Sequence, residues 1–313
     1  MRTAIIYFSG TGNTKKVAEE YKKNFERLGS ECDLFPLPLK QKPDLTKYDK
    51  VGFGYPIHSF NAPEIMLKFA KSLPKVKRKD GVGLRSAFIL KSSGEPVKMS
   101  RVSSLKLIGI LKRRGFEVKN EYQYVMPYNM IFRHTDHTAY VMWQTAKALI
   151  PVDCDEIING TPHAEKRMTL GHLFAWVLRA EHWGAHVIGV GYKVKKKDCI
   201  SCGLCAKSCP AGNIKMVNGK PKFGGKCYIC ARCSFNCPKD CISIGLLNGW
   251  RVNGAYSFTD GDPNEKNGHE NYCKKAYDRY FSEAQARIEA HGDDAGKITD
   301  ETLKLLNDKL KER

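Results

Sequence analysis

Three observations predict a two-part fold: a doubly wound α/β sheet followed by a small α+β region held together by metal. Apolar strand-like runs alternate with amphipathic helical stretches over roughly the first 125 residues. The alternation stops after Pro127. Two nearly identical runs of cysteines, each closed by proline, then fill a stretch too rich in Gly and Pro to build a conventional core.

Taken in order, strands are expected over residues 3–8, 32–35, 51–55, 85–90 and 122–125, with helices over 14–28, 62–71 and 102–114. Five strands with helices between them imply a mostly parallel sheet with its ligand at the carboxyl ends of the strands. Helical stretches over 136–150 and 163–183, separated by 151–162 with its Gly160, read as a connector. The cysteine-dense region covers 193–244, with short strand-like pieces at 214–217, 222–223 and 242–244. A Gly/Asn/Asp-rich segment over 253–268 precedes a helix near 272–291 and a short charged helix after Thr299. The expected units are thus 1–127 (sheet domain), 128–190 (helical connector), 191–248 (cluster domain) and 249–313 (helical extension).

The chain has 313 residues, 42% hydrophobic and 27% charged, the make-up of a globular protein. Its opening residues, MRTAIIYFSG, show no cleavage-site pattern, and the longest apolar stretch, 170–192, is broken by Arg179 and Glu181. No signal peptide and no membrane span are expected, which places the chain in a reducing cytoplasm where twelve cysteines argue for metal ligation over disulfides. The formal charge is +19, with the excess of Lys and Arg in the first 250 residues. A field of that sign attracts nucleic acid, anionic membrane or an acidic protein. Scattered lysines such as Lys15, Lys16, Lys22 and Lys23 carry no aromatic-interleaved recognition motif, which favours acidic electron-carrier proteins over nucleic acid.

Cys199, Cys202, Cys205 and Cys209 with Pro210 recur 28 positions on as Cys227, Cys230, Cys233 and Cys237 with Pro238, an internal duplication. Three closely spaced thiolates each reach a different iron of one cubane, and the fourth, turned by its proline, points to the neighbouring cluster. Crossed ligation follows: Cys199, Cys202, Cys205 and Cys237 for one [4Fe–4S] cluster, Cys227, Cys230, Cys233 and Cys209 for the other. A zinc site takes two pairs of ligands and leaves the third thiolate and the proline without a role. Over about 50 residues the pattern resembles the bacterial-type two-cluster ferredoxin. Cys32, Cys154, Cys241 and Cys273 remain outside it and read as buried free thiols, of which Cys241, in register with Asn213 of the first repeat, is expected close to a cluster without duplicating a ligand.

The first strand runs into Ser9, Gly10, Thr11, Gly12, Asn13 and Thr14 and then a helix: hydroxyls, permissive turns and free helix amides, as a phosphate dianion needs. Without the Lys of a nucleotide loop or a GxGxxG run, ATP and NAD fit it poorly. The loop resembles the FMN-phosphate loop of flavodoxins. In order behind it, Tyr55, Pro56, Ile57, His58, Ser59, Phe60 and Asn61 are similar to that family's first isoalloxazine loop, and Ser92, Ser93, Gly94 and Glu95, after Lys91, to its second. The resemblance covers about residues 1–125 and implies a flavodoxin-like five-stranded sheet in the order 2-1-3-4-5 with FMN at the switch point.

Two departures stand out. The first loop offers Tyr55, His58 and Phe60 as stacking partners but the second offers no aromatic ring, so an uncovered flavin face is expected. Between Tyr55 and Pro63 there is also no glycine whose peptide would flip toward flavin N5. As a whole the chain resembles the flavodoxin–ferredoxin fusion proteins of anaerobic bacteria, which implies electron transfer between two clusters and FMN. A ferredoxin-linked reductase of a small organic acceptor is the favoured reading; a carrier between redox proteins such as ferredoxin and flavodoxin is the alternative, and a nucleic-acid-associated redox sensor rests on charge alone.

Weaker signals complete the reading. Arg133, His134, Thr135, Asp136 and His137 precede a helix, and His134, Asp136 and His137 are candidates for proton delivery to the flavin or its substrate, with a helix cap at Thr135 or Asp136 as the plainer alternative. His172, His182 and His186 with Trp176 and Trp183 follow helical spacing and read as a packed face. Lys195, Lys196 and Lys197 form either a solvated run or a holdfast for acidic partners.

Overall fold

The alternation of strand and helix signals closes into one parallel sheet in the computed structural model of the chain, which describes residues 1–75, 85–165, 187–291 and 298–311 together with residues 173, 176 and 184. Strands β1 (Arg2–Tyr7), β2 (Glu31–Pro36), β3 (Lys50–Pro56), β4 (Arg85–Ser93) and β5 (Phe116–Val125) stand in the order β2-β1-β3-β4-β5, all parallel. Successive side chains of a strand face opposite sides of the sheet. Thus Ile5, Phe88 and Leu90 join one core with helix α1 (Asn13–Arg27), while Ala4, Ile6, Ala87 and Ile89 join the other with α2 (Glu64–Ser72) and α3 (Leu105–Arg113). The last strand begins six residues before its expected start. As the edge of the sheet it holds the solvent-facing Glu117 and Lys119, which hid its first half from an apolar reading. Helix α3 begins later than expected, after a 3-10 turn over Lys98–Ser104.

The expected connector does not start where a core ends. Helix α4 runs without a break from Asp136 to Asn159, straight through Pro151, and stops at Gly160 in a left-handed conformation with φ 74°. Proline within a helix costs about 3 kcal/mol. Burying a large aliphatic side chain stabilises by about 1.5–3 kcal/mol, and Leu149, Ile150 and Val152 are all buried around the break, so burial outweighs the lost hydrogen bond. Leu149, Ile150, Cys154 and Ile157 share their core with β1, α1, β4 and β5, which makes α4 part of the sheet domain. The helix expected over 163–183 lies mostly outside the described residues; His163 itself pairs with Asn120 of β5 as an isolated bridge.

Behind it come β6 (Lys193–Val194), α5 (Leu204–Ser208), the hairpin β7 (Ile214–Val217) with β8 (Lys220–Phe223), α6 (Arg232–Phe235) and β9 (Ile242–Ser243), which pairs antiparallel with β6. The chain then returns to the sheet domain. Arg133 Nη1 donates to the Gly254 carbonyl at 2.9 Å and its guanidinium lies 4.3 Å from the Tyr256 ring, fastening the 253–268 segment beside α4. Helices α7 (Lys274–His291) and α8 (Ile298–Lys311) finish the core shared by α1 and α4 through Phe281, Ala284, Ile288 and Leu306. Among the described residues no helix is long and apolar enough to cross a membrane.

Candidate cofactor sites

At the carboxyl ends of β1, β3 and β4 lies a cavity of about 430 Å³, within the usual range of small-molecule sites. Gly12, with φ 112°, turns the chain from β1 into α1. Ser9 folds across that turn, its Oγ accepting from the Gly12 amide at 3.1 Å, and Thr14 shares a 2.8 Å hydroxyl contact with Ser92 of β4. Asn13 Nδ2 donates to the Pro127 carbonyl at 2.8 Å and Asn129 Nδ2 to Thr11 Oγ1 at 3.0 Å, so the 127–129 segment braces the loop. Helix α1 has no acidic residue in its first turn, which leaves the positive end of its dipole open to an anion.

Of the expected flavin-site residues, Ser9, Gly10, Thr11, Asn13 and Thr14 line the cavity, as do Pro56, Ile57, His58, Ser59 and Phe60 and the run Ser92, Ser93, Gly94 and Glu95. Three do not. Gly12 only shapes the turn. Tyr55 is fully buried in the sheet core, because the strand alternation turns it toward α2. Asn61, buried, folds back to the Ser59 carbonyl at 3.1 Å.

One aromatic ring lies directly against the second loop. A Cβ on Gly94 would sit 2.0 Å from Cε1 of Tyr128, so the absence of a side chain there is what admits the ring. Tyr128, Trp250 and Tyr272 all line the cavity, so aromatic rings reach it from outside the second loop. No strand or helix periodicity marks these three positions in the sequence. A cavity of this size with a hydroxyl-rich turn at a helix terminus at one end and aromatic rings at the other fits FMN.

The candidate proton donors lie elsewhere. His134 stacks on the far face of Tyr128, with ring centroids 5.3 Å apart and planes at 6°, and His137 Nδ1 pairs with Asp260 at 3.0 Å. Both line a separate cavity beside α7. Asp136 stands in the first turn of α4, half-exposed and 4.0 Å from Arg133, and Thr135 is the cap, its Oγ1 accepting from the Thr138 amide at 3.1 Å. Their placement is set by starting α4, not by the flavin cavity.

Besides His58, the lining of the cavity holds one carboxylic acid, Glu95. Burial pushes its carboxyl up to about 7, and the Tyr128 hydroxyl donates to it. Ser93 Oγ donates to the Glu95 carbonyl at 2.8 Å. On the other side of the sheet, the buried Lys91 is held between Glu165 and Glu121, the latter at 3.7 Å.

Cys199, Cys202, Cys205 and Cys237 surround one small cavity together with apolar Ile200, Leu204, Met216 and Pro221. Cys241 also lines it, 3.5 Å from the Cys237 sulfur, so this thiol belongs to the cluster region and not to a remote core; Cys32 and Cys154 are buried in the sheet domain and Cys273 is half-buried. The other four thiols are mutual neighbours: burial raises the affinity of Cys233 for its proton, and Cys230, Cys227 and Cys209 add to the rise. Backbone amides of Asn213 and Ile229 donate to the sulfurs of Cys209 and Cys227, each at 3.3 Å, the kind of contact that tunes cluster potentials. Among the described residues no three such side chains converge on the centre of a single metal ion. Six cysteines line this space, Cys233 and Cys241 with the expected four, and such a set of sulfurs beside apolar side chains fits the larger cubane.

The cluster region is clamped to the phosphate loop. Arg232 donates from Nε to the Gly10 carbonyl at 3.0 Å, from Nη2 to the Ser9 carbonyl and from Nη1 to the Ser208 carbonyl at 2.9 Å. A Cβ on Gly10 would lie 2.5 Å from the Cys230 carbonyl oxygen, and Ile229 lines the flavin cavity itself.

Residues 4–89 match the family model of the flavodoxin domain, and residues 192–215 match that of the 4Fe-4S binding domain. None of the curated proteins matches the chain. Among solved structures it is similar to a flavodoxin from Streptococcus pneumonia TIGR4, at 13% identity over 51% of this chain and 100% of that one with a TM-score of 0.38. A flavodoxin from the domain Archaea is 17% identical over 50% of this chain and 99% of its own, with a TM-score of 0.35. A flavodoxin, WrbA-like protein from Agrobacterium tumefaciens is 15% identical over 50% and 98%, with a TM-score of 0.34. The chain joins a flavodoxin domain, the seat of FMN, to a 4Fe–4S domain, and is an iron–sulfur flavoprotein of electron transfer.

Proposed function

We propose that the protein passes electrons from an acidic carrier protein through two [4Fe–4S] clusters to FMN, and from there to a small organic acceptor such as a quinone, a nitro compound or an unsaturated carbonyl. The observation that carries this reading is the contact of Gly10 with Cys230, which puts a cluster-binding segment against the phosphate loop with no room for a side chain between them. One cluster is held by Cys199, Cys202, Cys205 and Cys237, the other by Cys209, Cys227, Cys230 and Cys233. The second set adjoins the flavin cavity through Ile229 and Cys230, so it is the inner relay.

The first set is the outer one. Cys202 is exposed, and Ile200 and Leu204 beside it are 57% and 42% exposed. Lys195, Lys196, Lys197 and Lys207 stand in solvent around them, a positive rim suited to an acidic ferredoxin or flavodoxin. Clusters exchange single electrons, whereas bound FMN takes one or two and can deliver a hydride. The chain's own part is to fix the spacing, brace the phosphate loop and shape an aromatic-walled cavity with space for an acceptor.

The test is anaerobic photoreduction of the purified protein, followed by spectra of flavin and clusters on adding an acceptor panel. Reoxidation of the flavin faster than free FMN supports the reductase. If no acceptor does so while acidic ferredoxins exchange electrons quickly and with strong salt dependence, the protein is a carrier. If Cys199→Ser and Cys227→Ser variants pass electrons from ferredoxin to FMN as fast as wild type, the relay is wrong.

A further inference from the structure

At the carboxyl end of β4, beside β5 and α7, one carboxyl is held inside the flavin cavity by contacts that no phosphate or ring-binding role requires. Glu95 lines that cavity, and the Tyr128 hydroxyl donates to its carboxyl group. Its backbone is fixed on both sides: Ser93 Oγ donates to the Glu95 carbonyl at 2.8 Å, Gln123 Nε2 donates to Ser93 Oγ at 2.8 Å, and the Tyr277 hydroxyl of α7 donates to the Gly94 carbonyl. Three elements, β4, β5 and α7, therefore agree on where this side chain stands. Such agreement is what a group acting in a reaction needs, since small displacements of an acid lose most of its effect.

The surroundings keep the carboxyl neutral. The groups facing it are the hydroxyls of Tyr128, Tyr272 and Tyr277 and the Cys273 thiol, all uncharged near neutral pH. Arg279 on α7 turns away and donates to the Pro96 carbonyl at 3.2 Å, and His134 lies behind the Tyr128 ring. With burial unopposed by a cation, the carboxyl holds its proton up to about pH 7. An acid is most effective when its pKa lies near the working pH.

We propose that Glu95 is the proton donor to the organic acceptor reduced at the flavin, with Tyr128 as the residue that positions its carboxyl. The inference rests on the reductase reading above. In the step, the double bond of the acceptor gains a hydride that brings both electrons from the reduced flavin, and a proton from Glu95. A C=C bond becomes H–C–C–H, and Glu95 is left as a carboxylate that regains its proton from water entering the cavity. The Tyr128 hydroxyl donates to the carboxylate and holds it in place between turnovers. Acceptors whose reduction requires a proton at the same time as the hydride, unsaturated ketones above all, are the class this arrangement serves.

The experiment uses the holoprotein, photoreduced anaerobically and mixed in a stopped-flow instrument with 2-cyclohexenone or 1,4-benzoquinone across pH 5.5–9. The wild-type rate with 2-cyclohexenone is expected to fall about tenfold per pH unit above about 7, as the carboxyl loses its proton. Glu95→Gln is expected to react roughly a hundredfold more slowly at pH 6 with no break near 7. Glu95→Asp, which keeps a carboxyl, is expected to restore the break. FMN binding to each variant is checked by fluorescence quenching. A readout free of turnover accompanies these: in the FMN-free protein the protonated-carboxyl infrared component that Glu95→Gln removes should vanish through pH of about 7, distinct from the Asp153 carboxyl at about 6, and shift in frequency in Tyr128→Phe. Turnover by Glu95→Gln with the wild-type rate and pH profile overturns the assignment and leaves the reductase reading standing. Failure of the wild type to reduce either acceptor faster than free FMN overturns both.

Discussion

Arg232 Nε lies 3.0 Å from the carbonyl oxygen of Gly10, a bond that joins the cluster region to the phosphate loop across 222 residues of sequence. The same guanidinium reaches the Ser9 carbonyl, also in that loop, and the Ser208 carbonyl in the preceding cluster run. One planar cation with a fixed fork of donors is thereby shared among three backbone acceptors, and a lysine cannot reproduce that geometry.

Substitution of Arg232 should accordingly loosen the two regions from each other. Hydrogen bonds to a charged group contribute about 1.5–3 kcal/mol each, and about 1.4 kcal/mol is tenfold in affinity. Arg232→Ala and Arg232→Lys are each expected to weaken FMN binding by at least tenfold and to slow flavin reduction by the clusters, with iron content unchanged. Gly10→Ala, whose Cβ would press on the Cys230 carbonyl, should slow the same electron transfer. Fluorescence titration of FMN and rapid-mixing spectra check both.

A buried carboxylate makes a second prediction. Asp153 is 1% exposed, paired with Arg287 at 2.8 Å and hydrogen-bonded by the Tyr124 hydroxyl; burial raises its carboxyl to about 6 even with the guanidinium beside it. Removing one partner of a buried pair costs about 3–5 kcal/mol, so Arg287→Met should destabilise by about that amount at pH 8. Near pH 5 the carboxyl is protonated and needs no counter-ion, so the loss should be smaller there. Asp153→Asn in the same chain should recover part of it. Urea unfolding at the two pH values measures each.

Glu95 gives a pH dependence of stability with a definite sign. Its carboxyl is raised from the ordinary 4.5 to about 7 in the folded chain, so the folded state binds a proton that the unfolded state has released. The stability it contributes is complete below about pH 4.5 and is lost as pH rises through 7. At most about 1.4 kcal/mol is lost per pH unit. Between pH 5 and 8 the FMN-free wild type should lose about 2 kcal/mol more than Glu95→Gln. Parallel urea titrations decide it.

The proposed role of the exposed lysines before Cys199 is open to a kinetic test. Changing Lys195, Lys196 and Lys197 together to Gln should cut the rate of reduction by an acidic ferredoxin about tenfold or more at low salt and flatten its dependence on ionic strength, because steering charges act mainly on encounter. Photoreduction of the bound flavin without a partner should not change.

Much of this molecule was legible in the chain itself because the sheet writes a strong pattern. Strand cores such as Ala4–Ile6 and Ala87–Leu90 are apolar on both faces, and the loops at their ends carry short polar motifs with few alternative readings. Other features left weaker marks. Pro151 marks a helix end by local preference, which holds no trace of the core that carries α4 through it. Tyr128 and Tyr272 reach the flavin cavity from irregular segments, where neither a period of two nor one of 3.6 applies. Helix α7 did carry a signal: Tyr277, Phe281, Ala284 and Ile288 fall on one face and pack on the core of the sheet domain. Which core they pack on is a tertiary fact that spacing does not encode.

The brace on the flavin loops has a consequence for how the protein is made. Ser9 and Gly10 are synthesised well before Arg232, which lies 222 residues beyond Gly10, yet they are clamped by it, and the Gly94 carbonyl waits for Tyr277. The sheet can form while the rest of the chain is still being synthesised, but a finished cradle for FMN exists only once the cysteine runs have been threaded and α7 has docked. The loops at the flavin cavity therefore take part of their support from residues far along the chain, Arg232 and Tyr277.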